Sequence, residues 1–223
     1  MNAIKCIANG ALFKSAAGSF CLIFLVGCSA LPEPPVRPVL YDFGLGQQAV
    51  AGVQTPLPPL PPLALETVDH ASLPDGISAV YYRLTYADAQ QLRPYQTARW
   101  SQPPQQLVRE SLQARLGQRR AVIGTSGAMA TARAQGQPPA VLRVELEEFS
   151  HVFASPAQSA GLVRLRATLT RPSALGEDLL AQRLFIAQKP AASQDAAGGT
   201  RAIALAAEQV ALDVAQWLEA SGY

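Results

Sequence analysis

The sequence predicts an α/β (α+β) fold: a single domain whose mixed or antiparallel sheet carries two main helices, preceded by a signal peptide and a proline-rich tether. Three observations predict it. Apolar and polar residues alternate at period two in Val141–Phe149 and Leu162–Thr170, the pattern of half-buried strands. Apolar residues recur at helical spacing within 107–116 and 203–217, the pattern of helices with one buried face. Nine of the 18 prolines fall between Pro32 and Pro62, where fixed φ angles and missing donors favour extended polyproline II over helix.

At the start of the chain, Lys5 and Lys14 but no acid precede a short apolar block, Phe20–Val26. That is the order of a secretory signal. The block is too short to span a bilayer, which takes ~20 apolar residues. Leu25-Val26-Gly27-Cys28 resembles the bacterial lipobox, Leu-x-Gly/Ala-Cys. The alternative is a short buried helix that ends in Gly-Cys. The resemblance implies that residues 1–27 are removed, that Cys28 receives a diacylglycerol on sulfur, and that its new amino group is acylated. Two or more acyl chains hold a protein firmly at a membrane where one holds it marginally. Ser29 follows the cysteine where an Asp would mark inner-membrane retention, so the pattern resembles that of lipoproteins anchored on the periplasmic side of the outer membrane.

Processing changes the balance of the chain. Cys6 and Cys21 lie in the signal and Cys28 is lipidated, so the mature chain has no free thiol, disulfide or thiolate metal site. The 18 Lys and Arg against 16 Asp and Glu become 16 of each once Lys5 and Lys14 are lost. A neutral mature chain gives no global reason to expect nucleic acid as a partner. Its only lysine is Lys189, and the arginines suit fixed ion pairs.

The elements follow in order. Residues 28–62 read as lipid anchor and linker, interrupted by an edge strand near 39–45, and residues 63–223 as the domain. "PLPPLPP", residues 56–62, is a stiff spacer or a peptide ligand for a partner groove. Ile77–Tyr86 is rich in strand formers, and 93–104 reads as a break after it. Ser101 is an N-cap candidate for a helix that takes Pro103 and Pro104 in its first turn, buries Leu107, Val108, Leu112 and Leu116, and ends at Gly117. "RRAVIG", 119–124, is a short strand.

In the two alternating strands, Leu142, Val144 and Leu146 oppose Arg143, Glu145 and Glu147, and Val163, Leu165, Ala167 and Leu169 oppose Arg164, Arg166, Thr168 and Thr170. Antiparallel pairing would set the glutamates beside the arginines, at ~0.2–1 kcal/mol for each exposed pair. Leu179–Gln188 is a third strand and 191–199 a loop. A last helix, from about Thr200 to Glu219, turns Ile203, Ala207, Val210, Val214 and Trp217 to the core, and its acidic outer face argues against a membrane surface.

Catalytic patterns are weak. His70 and His151 sit in no metal motif and read as ordinary surface or interface residues. Gly124–Ala128 is not a nucleophile elbow. Glu147 and Glu148 are adjacent in a strand, so they are not a facing pair of carboxylates. Gly44–Ala49 spells G-x-G-x-x-A, but no helix start follows to meet a pyrophosphate. No Walker motif occurs. The expectation is a protein that is not an enzyme, with no cofactor and no metal.

Tyr95, Arg99, Trp100, Pro103 and Pro104 form Y-x-x-x-R-W-x-x-P-P between a strand and a Pro-initiated helix. With the lipobox, this resembles the ABC-type transport auxiliary lipoproteins, which include the paraquat-inducible lipoprotein C group. The likeness runs from about Leu40 to Trp217; the proline-rich insert at Pro56–Pro62 departs from it. The resemblance implies a non-catalytic accessory of lipid transport across the envelope. Its partners would be a periplasmic mammalian-cell-entry (MCE) domain protein with its permease and ATPase. The rival is a structural or assembly lipoprotein of another envelope complex. Self-association as a homo-oligomer stays open. Tyr95, Arg99 and Trp100 are the partner-binding candidates, against a reading of Trp100 as a core residue.

Intact-mass measurement of membrane-extracted protein should find residues 1–27 missing and acyl mass on Cys28. An unmodified Cys28 behind a retained Met1 contradicts the lipobox.

Overall fold

The computed structural model describes residues 37–44, 58–70, 78–124, 127 and 138–223. Cys28 lies outside the described residues, as do the rest of the signal segment, Ser29 and most of the proline-rich run. The compact unit that holds every element below runs Pro38–Tyr223.

Eight strands form one mixed sheet: β1 (Val39–Tyr41), β2 (Leu63–His70), β3 (Ala79–Leu84), β4 (Asp88–Trp100), β5 (Val122–Ile123), β6 (Ala140–Ser155), β7 (Gln158–Ser173) and β8 (Gly176–Pro190). Two helices, α1 (Pro104–Leu116) and α2 (Ala196–Ala220), complete the described elements. The strand expected near 39–45 is β1, Val39–Tyr41, which pairs parallel with Ala98–Trp100. It begins eleven positions past Cys28.

The sheet is organised by β6. Along one side it pairs antiparallel with β7 from Val141 to Ser155. Along the other it pairs parallel with β2 through its first half and with β3 through its second. β4 then adds antiparallel to β3, and β5 parallel to β2. The two alternating segments of the sequence are the centres of β6 and β7. Leu142, Val144, Leu146, Val163, Leu165, Ala167 and Leu169 are all buried.

A register shift between Leu146 and Glu148 inserts one extra residue, Glu147. A one-residue insertion moves later side chains to the opposite parity. Inward positions on β6 accordingly pass from Leu142, Val144 and Leu146 to Phe149, His151 and Phe153, which lie opposite Val163, Gly161 and Ser159. The bulged Glu147 reaches both neighbouring arginines, at 3.0 Å to Arg164 and 2.7 Å to Arg166. Arg143 joins Glu66 and Glu177 on the same strand system. The expected glutamate and arginine rows do sit side by side.

Four expectations need correction. The segment from Arg93 to Trp100 is not a break: it is the second half of β4. β1 covers only Ala98–Trp100, so among the described residues Pro94 sits where one side of β4 is an open edge, and an edge tolerates a missing donor. Ser101 does not cap α1. Pro103 is the N-cap, without a side-chain bond, and Pro104 follows at the first helical position. The loop 191–199 is shorter than expected, because α2 starts at Ala196. Asp195 caps it, its carboxylate accepting from the Gly198 N–H at 2.8 Å and the Ser193 hydroxyl at 2.7 Å. His151 is fully buried rather than at the surface.

α1 buries the expected Leu107, Val108, Leu112 and Leu116. α2 buries Ile203, Ala207, Val210 and Val214, while Trp217 is half-buried against Phe185. Its approach to the sheet is close enough to require Gly161. A Cβ at that position would overlap the backbone of Ala202 and Ile203.

Gly161→Ala should therefore destabilise the domain by about 1–3 kcal/mol through overpacking, read by denaturant unfolding. Gly124→Ala, with open space around the new methyl, should be close to neutral. Equal effects at the two sites would contradict the close approach.

Candidate functional site

The partner-binding candidates share the end of β4 and lie in different surroundings. Trp100 is 1% exposed. Its ring meets Phe43 edge-on at 5.9 Å and Phe149 at 5.3 Å, and the backbone N–H of Trp100 donates to the Ser78 carbonyl at 2.6 Å. The core reading of Trp100 holds, and a partner has no direct access to the indole. Tyr41 of β1 lies opposite it and Ser101 donates back to the Tyr41 carbonyl. Trp100 therefore acts as the joint between β1, β4 and β6.

Arg99 is half-buried and lies opposite Leu40 of β1. Its guanidinium donates to the carbonyls of Tyr95 at 2.9 Å and Ala98 at 2.8 Å. Two donors spent on carbonyls leave the positive charge without a carboxylate partner among the described residues, and further N–H groups remain for an incoming acceptor. Leu40 beside it is 65% exposed. Arg99 and Leu40 thus form a small surface of one cation and one apolar side chain over the Trp100 core.

Tyr95 turns to the same inward side as Trp100, because the pairing of β3 and β4 is irregular between Tyr81–Pro94 and Ala79–Arg99. Its hydroxyl is 2.9 Å from Nδ1 of His151, and its ring packs on Tyr82 at 4.7 Å. Burial pushes the Tyr95 phenol upward in pKa, so it is protonated at neutral pH. Burial pushes His151 down to about 4, so its imidazole is neutral. Nε2 of His151 finds no hydrogen-bond partner among the described residues. Gly199, in the first turn of α2, lies directly over the ring, and a Cβ there would collide with Nδ1. The Tyr95–His151–Gly199 contact joins β4, β6 and α2. With His151 fully enclosed, it is a polar tie of the core and no place for a substrate.

His151 was missed as a core residue because one histidine in a β pattern carries no burial signal without the bulge at Glu147. His70 closes β2. Glu147 and Glu148 do not act as a carboxylate pair: Glu147 holds two arginines and Glu148 holds Arg83 at 3.1 Å. Among the described residues no group of His, Cys, Asp or Glu could hold a metal ion. A groove of about 630 Å³ runs between α1 and α2, floored by Leu107, Ala211 and Leu212 and rimmed by Glu110, Arg115, Lys189 and Glu208. Its rim charges are mixed, so it selects no single class of ligand.

Residues 44–215 match the family described as ABC-type transport auxiliary lipoprotein component. The crystal structure of protein XCC0632 from Xanthomonas campestris is similar at a TM-score of 0.62 and 20% identity, over 76% of this chain and 90% of that one. A crystal structure of an uncharacterized protein is similar at a TM-score of 0.55 and 15% identity, over 82% and 99%. At these identities the likeness is one of fold. Among curated proteins there is no match.

The buried imidazole should make stability depend on pH. Its folded pKa of about 4 lies below the ordinary 6.5, so the unfolded chain binds the proton first as pH falls. The contribution is whole above 6.5 and declines from there towards 4. Asp195, whose carboxyl the Gly198 N–H and Ser193 hold below the usual 3.8, titrates outside that window. His151→Gln should flatten the melting temperature between pH 7 and pH 4.5; an unchanged slope would place its origin elsewhere.

Proposed function

We propose, on the premise that this chain belongs to the ABC-type transport auxiliary lipoprotein component family, that its folded unit is a non-catalytic docking piece: it holds a periplasmic MCE-domain protein of a lipid-transporting ABC system close to the outer membrane. The chain is an auxiliary lipoprotein of ABC-type transport, and such a component acts by binding and position. The observation that carries this reading is the pairing of β1 with the Ala98–Trp100 end of β4. An anchor at Cys28 and the candidate contact Arg99 are thereby tied through one ladder. Only nine residues separate Cys28 from Pro38, and fully extended this stretch reaches at most about 35 Å. The docking surface consequently stays near the membrane, where a long proline-rich tether would have let it range far more widely.

In this reading the guanidinium of Arg99 meets an acceptor on the partner, and Leu40 supplies apolar contact beside it. Arg is enriched at interface hot spots. Trp100 supports them from below, and Tyr95 ties the same strand to β6 through His151.

Co-purification from membranes tests the proposal. The wild-type lipoprotein should bring down an MCE-domain protein, and Arg99→Ala should reduce that capture about tenfold or more with little change in melting temperature. Trp100→Ala should instead cost about 3–5 kcal/mol of stability. Failure of the folded wild-type protein to capture any MCE-domain protein would refute the assignment; undiminished capture by Arg99→Ala would move the contact elsewhere.

A further inference from the structure

The edges of the sheet differ sharply in length. On one side it ends in β1 and β5, of three and two residues, and in the part of β4 before Ala98, which β1 does not cover and where Pro94 removes a donor. On the other it ends in β8, of 15 residues, which pairs with β7 alone among the described residues. Short edge strands are protected against further pairing, whereas a long open one exposes a row of backbone donors and acceptors.

The central part of β8 is little protected. A register shift at its first half, where Leu169 pairs Ala181 and Thr170 pairs Leu179, kinks the strand before Ala181, and Pro190 ends it. Between them lie Ala181–Lys189, nine regular residues with Phe185 at the centre. The two cations in that span are turned back onto their own protomer. Arg183 stacks over the Phe185 ring at 5.3 Å, and Lys189 donates to Gln209 at 2.8 Å. On the opposite face, Leu184 and Ile186 are 40% and 57% exposed.

We propose that Ala181–Lys189 is a self-docking edge, where two copies of the chain pair antiparallel about a two-fold axis at Phe185 and continue one sheet into the other. Three features favour a second copy as the occupant. The regular span is symmetric about Phe185, as an isologous contact requires. That register sets Leu184 of each copy opposite Ile186 of the other, covering both exposed apolar side chains. It also sets Arg183 and Lys189 opposite Ala187 and Ala181, so no like charges face each other. A register centred on Arg183 would bring two guanidinium groups together, which destabilises a cross-strand pair. The dimer closes on itself and leaves no free β8 edge.

The test uses the full processed chain in mild detergent, weighed by sedimentation. The wild type should be a dimer. Leu184→Lys combined with Ile186→Lys should weaken it about tenfold or more, with the melting temperature unchanged because both side chains are exposed in the protomer. The register has its own readout. Protein carrying Leu184→Cys, mixed with protein carrying Ile186→Cys, should form a disulfide-linked heterodimer on oxidation, while Leu175→Cys at the exposed β7–β8 turn should not. A monomeric wild type, a dimer indifferent to both lysines, or cross-linking as efficient from position 175 overturns the proposal. So does a monomer that takes a foreign extended peptide along β8, since the edge then serves a partner strand.

Discussion

The near contact of two backbones, that of α2 at Ala202–Ile203 and that of β7 at Gly161, sets the geometry of the rest of the domain. A glycine is the only residue that allows it. Once the helix lies this close, its small residues become core residues: Ala202, Ala206, Ala207 and Ala211 are buried along with Ile203, Val210, Val214 and Leu218. Larger side chains along that stripe would lift the helix and open voids that the sheet could not fill. One turn earlier, Gly199 allows the same approach to His151. Asp195 supplies the helix with its first hydrogen bond at the position this approach demands.

The bulge at Glu147 matters for a related reason. β6 is 16 residues long and must keep one face towards the helices over its whole length. A long strand twists, and a bulge adds a local change of direction and parity. Here it brings Phe149 to the Trp100 and Phe43 rings and His151 to Tyr95. The displaced Glu147 is the residue that two arginines share. Those ion pairs are partly exposed and contribute little to stability one by one; their effect is on register, because a slip of β7 by one residue would separate them and expose the apolar face.

The segment around Arg99 and Trp100 shows how one short motif serves two purposes. Consecutive strand residues point to opposite sides, so Trp100 enters the aromatic core while Arg99 lies at its edge beside Leu40. The motif is structural at one residue and available for binding at the next. This explains why a pattern that identifies the family also sits at the centre of packing. The buried indole makes the end of the strand rigid, and so fixes where Arg99 and Leu40 stand.

Much of this was legible in the sequence. The α+β class, the central alternating strands, the apolar stripes of both helices and the rows of facing charges all follow from periodicity, which is a property of neighbours along the chain. The lipobox and the Y-x-x-x-R-W-x-x-P-P pattern were equally local. What the sequence alone could not decide was everything that depends on pairs distant in the chain. The second half of β4 looked like a break because Pro94 forbids a donor; only the shortness of β1 beside it makes that harmless. His151 looked like a surface residue because its burial depends on a bulge four residues earlier and on a glycine in a helix 48 residues later. The glycines before Thr200 looked like loop because glycine disfavours helix locally, and tertiary contact with the sheet outweighs that preference. The place of β1 in the sheet was decided by hydrogen bonds to residues almost sixty positions away. Local pattern specifies which face of an element is apolar; which element that face meets, and how closely, is settled only when the chain folds.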